Sequence, residues 1–158
     1  MNIELKVGVV IENEDSSKIL LIKEKLQKKE NFLWNLIKGS YEKDDPSVIK
    51  TAERECLEEI GVKINLKHIL AVYFSKKAEK NRIQVTFIAT IKEGKPTLSS
   101  SKRQKELEEN ILEFKWFDKK QIYLLRENFF VNKRAFTIAN DWADGKRFPL
   151  ESYREIAV

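Results

Sequence analysis

KGSYEKDDPSVIKTAERECLEEIG spans Lys38–Gly61, and two of the chain's five glycines, Gly39 and Gly61, sit near its ends. Asp45 and Pro46 predict a helix start, because aspartate is favoured at the N-cap and proline at the first helical position. Gly61 predicts the stop. At about 100° per residue, Val48, Ile49, Ala52, Cys56 and Ile60 share one stripe of a helix over about 46–60. That stripe is the predicted core side. Glu55, Glu58 and Glu59 form a second stripe directly beside it rather than across from it.

This placement is unfavourable for an ordinary helix. Glu55 and Glu59 are like charges at i,i+4, and Glu55 and Glu58 at i,i+3. Beside a core, desolvation strengthens their repulsion, and acidic groups near a helix C-terminus face the wrong pole of its dipole. A divalent cation reverses the sign of all three effects, and hard cations such as Mg²⁺ take carboxylate oxygens. An isolated ExxEE on a helix is more often a solvated acidic face. Here Arg54 is placed to hold Glu55 or Asp45, and Gly39 ends a predicted strand where backbone can approach an ion closely.

Outward from the helix, residues 3–11 alternate, with Ile3, Leu5, Val7, Val9 and Ile11 on one face, and predict a half-buried strand. KILLIKE (18–24) and FLWNLI (32–37) predict two more, separated by a charged loop at 25–31. After the helix, INLKHILAVYF (64–74) and RIQVTFIATIK (82–92) predict two strong strands. The polar stretch 92–110 predicts mostly loop, and LEFKWF (112–117) a last strand. Helices are expected over 118–128 and 129–145, the second closed by Gly145. This order predicts an α/β (α+β) fold, a mixed sheet covered by helices on both sides.

The length of 158 residues suggests one domain over 1–158. A single cysteine, Cys56, excludes an internal disulfide and fits a reducing, cytoplasmic setting. No signal-peptide pattern opens the chain and no apolar run is long enough for a membrane span. The net charge of +5 is spread evenly, with 18 basic and 15 acidic residues up to position 99 and 12 and 10 after it. That even spread disfavours a stable nucleic-acid partner, which calls for a basic face or tail, and suits a small anionic substrate.

The segment from Gly39 to Val62 resembles the signature box of the Nudix hydrolases: Gly, five residues, Glu, seven residues, then Arg-Glu-apolar-x-Glu-Glu-x-Gly-apolar. The second half is intact as Arg54-Glu55-Cys56-Leu57-Glu58-Glu59-Ile60-Gly61-Val62. The first half diverges. Asp45 stands in place of Glu, eight residues rather than seven separate it from Arg54, Ser40 replaces a frequent glycine and Ile37 a frequent proline. The resemblance implies an α/β/α sandwich and a metal-dependent pyrophosphohydrolase. Such an enzyme cleaves a phosphoanhydride bond in a nucleoside diphosphate linked to another moiety, or in a related polyphosphate. It further implies Mg²⁺ or Mn²⁺ on Glu55 and Glu59, assisted by Glu58 and the Gly39 carbonyl, with Arg54 orienting the carboxylates.

The general base stays open between a box glutamate and one from the late loop, where Glu106, Glu108 and Glu109 are available and Glu109 is the first choice. Cys56 reads as core and His68 as structural. Trp34, Tyr73 and Trp116 are strand aromatics more typical of core than of base stacking. Lys38 and Arg82 are possible phosphate contacts, although solvated surface is the commoner reading for each alone. A nucleotide-binding sensor without catalysis is the alternative function, and the intact glutamate cluster argues against it.

Overall fold

A computed structural model of the protein describes residues 2–26 and 30–158. Its centre is a mixed sheet of strands β1 (Ile3–Glu12), β2 (Lys18–Glu24), β3 (Leu33–Asn35), β4 (Ile37–Ser40), β5 (Lys63–Lys77), β6 (Lys80–Glu93), β7 (Ile111–Asp118) and β8 (Phe148–Pro149). The main order is β3-β2-β1-β6-β5-β8, with β4 added to β1 and β7 to β2. β1 and β6 run parallel, and the other named pairs run antiparallel.

The alternation seen in the sequence separates two cores. Val7, Val9, Ile11, Leu20 and Ile22 face helix α1 (Val48–Ile60), where Ala52, Cys56 and Ile60 close the first core. Val10, Ile19, Leu21, Leu70 and Ile88 face the opposite way, toward α3 (Lys119–Leu124) and α4 (Lys133–Ala143), whose Ile138, Ala139 and Trp142 close the second. The buried Trp142 indole donates to Glu12 Oε2 at 2.8 Å, and Arg147 donates to the same oxygen at 2.6 Å. These two bonds tie α4 and the chain after it to the end of β1.

Several expectations change in detail. α1 begins at Val48, capped by Ser47, whose hydroxyl accepts from the Lys50 amide at 3.1 Å, not by Asp45. FLWNLI is two strands rather than one. Leu33–Asn35 pairs with β2 and Ile37–Ser40 with β1, so the chain changes partner at Leu36. The polar stretch after β6 contains a short helix, α2 (Ser101–Glu106). The helix expected over 118–128 ends at Leu124 and is followed by a 3₁₀ turn, Glu127–Phe129. Asn132 caps α4 through the Ala135 amide, which shortens the helix expected over 129–145 at its start. Gly145, with φ of 83°, ends it as expected. Of the charged loop expected at 25–31, residues 27–29 lie outside the described residues.

One feature of the sheet positions the site. β1 and β2 pair at Glu12–Ile19, while β4 occupies the edge of β1 from Lys6 to Val9. The two strands therefore part. The acidic groups gather where they have separated, between the end of β2 at Glu24, the start of the box at Lys38–Ser40, and the C-terminal half of α1.

Candidate active site

Arg54 organises the site. Its Nε and Nη2 donate to Asp45 Oδ1 and Oδ2 at 2.9 and 3.0 Å, a two-pronged pairing. Nη1 donates to Glu55 Oε1 at 2.9 Å and Glu58 Oε2 at 3.2 Å, and Nη2 also reaches the Ser40 carbonyl at 3.1 Å. All five guanidinium N–H donors are thus engaged. Asp45 also accepts from the Glu42 amide and the Thr51 hydroxyl at 2.9 and 3.0 Å. The Arg54 bond holds the Asp45 carboxyl at about 2, well below its ordinary value, despite burial. The shorter Asp and the additional residue of the divergent box therefore still deliver a carboxylate to Arg54.

Glu55 and Glu59, only 7% and 5% exposed, project from the stripe beside the core. Burial pushes the Glu55 carboxyl up to about 7; Arg54 opposes this, while Glu58 and Glu109 add to it. Burial also pushes the Glu59 carboxyl well above its ordinary value, reinforced by Glu55, Glu24 and Glu109 and opposed by Lys38. Glu59 Oε2 is buried without a hydrogen-bond partner among the described residues. Gly39 lies against Glu55. A Cβ there would sit 1.7 Å from Glu55 Oε1, so no side chain fits with Glu55 in place.

The late loop brings the third carboxylate. Gln104 fixes it, donating to the carbonyls of Ser99 and Ile111 at 3.1 Å each and accepting from the Ile111 amide at 2.6 Å. The Ser99 hydroxyl and the Thr97 amide bond the Glu58 and Ile60 carbonyls at the end of α1, at 3.0 and 2.9 Å. Glu108, at φ 56°, turns the chain so that Glu109 faces inward. Carboxylate oxygens of Glu55, Glu59 and Glu109 come within 4.8 Å of one another. Burial, with Glu58 and Glu24 adding to it, raises Glu109 to about 7, and its Oε2 is likewise buried without a partner among the described residues.

The other sequence candidates fall into place around this group. Glu58 stands outside the three, with its carboxylate on Arg54. Glu106 pairs with Arg103 at 3.3 Å on the surface, and Glu108 is exposed. Cys56 is fully buried in the first core, where burial pushes its thiol up. His68 lies opposite Pro149 of β8 and outside the carboxylate group. Trp34 belongs to the second core and Trp116 packs against the first. Tyr73 donates to Asp141 at 2.7 Å.

Glu24 is a member of the site that the sequence did not single out. Asn35 Nδ2 donates to it, and its charge acts on Glu59, Glu109 and Lys38.

The donor set fits a hard divalent cation. It is all oxygen and densely anionic, two of its buried oxygens lack protein partners, and it rests on a glycine that keeps Glu55 against the backbone. Without a cation, burial favours the protonated forms of these groups; a cation would give the unpartnered oxygens a partner.

The chain matches the family model described as NUDIX domain over residues 3–138. Among curated proteins, none matches the sequence. Among solved structures, a NUDIX hydrolase from Nitrosomonas europaea is 22% identical, covering 98% of both chains with a TM-score of 0.77. A MutT NUDIX hydrolase from Burkholderia pseudomallei is 22% identical over 89% of this chain and 98% of its own, with a TM-score of 0.68. A UDP-X diphosphatase is 20% identical over 94% of this chain and 66% of its own, with a TM-score of 0.65. At these identities the likeness establishes the fold.

Proposed function

Because the chain belongs to the Nudix family, whose enzymes hydrolyse pyrophosphate bonds, we propose that its carboxylate cluster is the hydrolytic centre of a metal-dependent pyrophosphohydrolase. The proposed substrate is a small anionic nucleotide or related polyphosphate, and the whole chain acts as one domain in the cytoplasm. Among the described residues, no helix is long and apolar enough to cross a membrane. The observation that carries the reading is the convergence of Glu55, Glu59 and Glu109, with unpartnered oxygens, beside Gly39.

Glu55, Glu59 and the Gly39 carbonyl would hold Mg²⁺ or Mn²⁺, with Glu58 at the flank. A cation held there would supply charge neutralisation at the phosphate oxygens and a site for the attacking water. Arg54 takes no part in bond making. Its five hydrogen bonds fix Glu55 and Glu58 against the loop through Asp45 and Ser40. Glu109 is the general base, since its carboxyl titrates at about 7, close to the optimum for proton transfer at neutral pH. It takes a proton from the water as the water oxygen bonds to phosphorus. The P–O–P bond breaks and the leaving phosphate departs with the electron pair.

The test is a panel of ADP-ribose, nucleoside triphosphates, nucleoside-diphosphate sugars and dinucleoside polyphosphates, each with Mg²⁺, with Mn²⁺ and with EDTA. At least one class is expected to yield two phosphate-bearing products with metal and none with EDTA. No cleavage of any class, or cleavage that survives EDTA, contradicts the proposal.

A further inference from the structure

The sheet face beneath α4 changes character along its length. At one end Val10, Leu70 and Ile88 are sealed in the second core. Toward the start of β1 the same face turns polar and basic. Lys38 and Ser40 of β4 lie opposite Gly8 and Lys6 of β1, and Arg82 of β6 lies opposite Glu4. Ser75 of β5 lies opposite Arg82, and Arg134, in the first turn of α4, donates to its hydroxyl at 3.4 Å. Over Gly8, between Lys38 and Thr86, the floor of this region is the buried Gln84 amide, which donates to the Thr86 hydroxyl at 3.1 Å.

The charges here do not balance. Among the described residues, Glu4 alone answers Lys6, at 3.1 Å, and Arg82, at 2.6 Å. Burial works against its ionisation, but those two cations outweigh it and hold Glu4 at about 2. Lys38 and Arg134 enter no ion pair among the described residues. Burial, then the neighbouring Arg82, disfavours the Arg134 cation. Solvated lysines on an open surface would repel far less. Part-buried cations held together gain most from a bound polyanion, and guanidinium groups match phosphate geometry with paired donors. Lys38 directly precedes Gly39, which lies against Glu55, so it joins this region to the carboxylate cluster.

Resting on the pyrophosphohydrolase reading, we propose that Lys6, Lys38, Arg82 and Arg134 hold a further phosphate of the substrate, beyond the anhydride that is cleaved. The preferred substrate is then a chain of three or more linked phosphates rather than a diphosphate joined to an uncharged group.

Inorganic tripolyphosphate is the probe, titrated calorimetrically into metal-free protein in EDTA. Wild type and Glu59→Gln both bind it saturably, more weakly as salt rises. The double variant Arg82→Gln/Arg134→Gln binds about tenfold more weakly or worse, and Arg82→Lys/Arg134→Lys recovers part of the loss. With Mg²⁺, the Gln pair raises KM for UTP about tenfold and KM for UDP-glucose by less than about threefold. Absence of saturable binding in the wild type, unchanged binding in the Gln pair, or equal rises in the two KM values overturns the assignment. Tripolyphosphate binding that depends on Arg82 and Arg134, in a protein that cleaves none of the panel compounds, upholds the phosphate site and defeats the hydrolase reading. Cleavage without such binding does the reverse.

Discussion

Glu59→Gln lowers kcat on the best substrate by roughly a hundredfold or more, the scale of loss when a preorganised electrostatic group is removed from a transition state. Glutamine preserves shape and helix propensity, so the change is one of charge and donor chemistry. Glu59 has the strongest case among the three carboxylates. It is 5% exposed, Glu55, Glu24 and Glu109 all press on it, and one of its oxygens lacks a partner among the described residues. Among the described residues no hydrogen bond is lost with it, unlike Glu55, which Arg54 holds. Metal-free melts of the variant should therefore match or exceed the wild type, because a buried repulsive charge has gone. Steady-state kinetics and thermal melts in EDTA check both halves. A fall in kcat of less than about threefold places the chemistry elsewhere.

In EDTA the wild type loses stability between about pH 4.5 and 7, while Glu55→Gln/Glu59→Gln stays closer to level. The folded-state values of Glu55 and Glu109 are raised from 4.5 to about 7, and Glu59 is raised beyond its ordinary range as well. Below pH 4.5 both folded and unfolded chains hold these protons and no penalty exists. Above it the unfolded chain releases them first, so stability falls until the folded groups titrate. For Glu55 the shift corresponds to a loss on the order of 3 kcal/mol. Asp45 and Glu4, held at about 2, change their contribution only below this window. The difference between the two proteins thus isolates the cluster. Denaturant melts across pH measure it, and saturating Mg²⁺ above pH 7 should restore the wild type, since the ion binds the deprotonated folded site. A difference that does not vary with pH contradicts the account.

The helix that carries the cluster was legible because its signal is local. A core stripe and an acidic stripe side by side follow from spacing alone, and both appear where the period puts them. The strands of β1, β5 and β6 were legible for the same reason. The cap was misread because Asp45 has a stronger claimant than the helix. Arg54 takes both its oxygens with a charge-assisted pair, and Ser47 caps instead. The break at Leu36 reflects competition between two partner strands, β2 and β1, which no local pattern records. Of the late-loop glutamates, Glu109 is selected by Gln104 bonding across the loop and by the positive φ of Glu108, both tertiary effects. Glu24 gave no signal because it simply ends an apolar run. It joins the site only through where β2 stops and through its bond from Asn35.

The central claim is that Glu55 and Glu59, beside Gly39 and Glu109, hold a divalent cation, and Mn²⁺ binding followed by electron paramagnetic resonance tests it most directly. The wild type should deplete the free Mn²⁺ signal saturably. Glu59→Gln should weaken that binding by about tenfold or more, as loss of one charged ligand requires, while Glu106→Gln, a surface change, should leave it intact. Equal Mn²⁺ affinity in wild type and Glu59→Gln, or no saturable binding in the wild type, would contradict it.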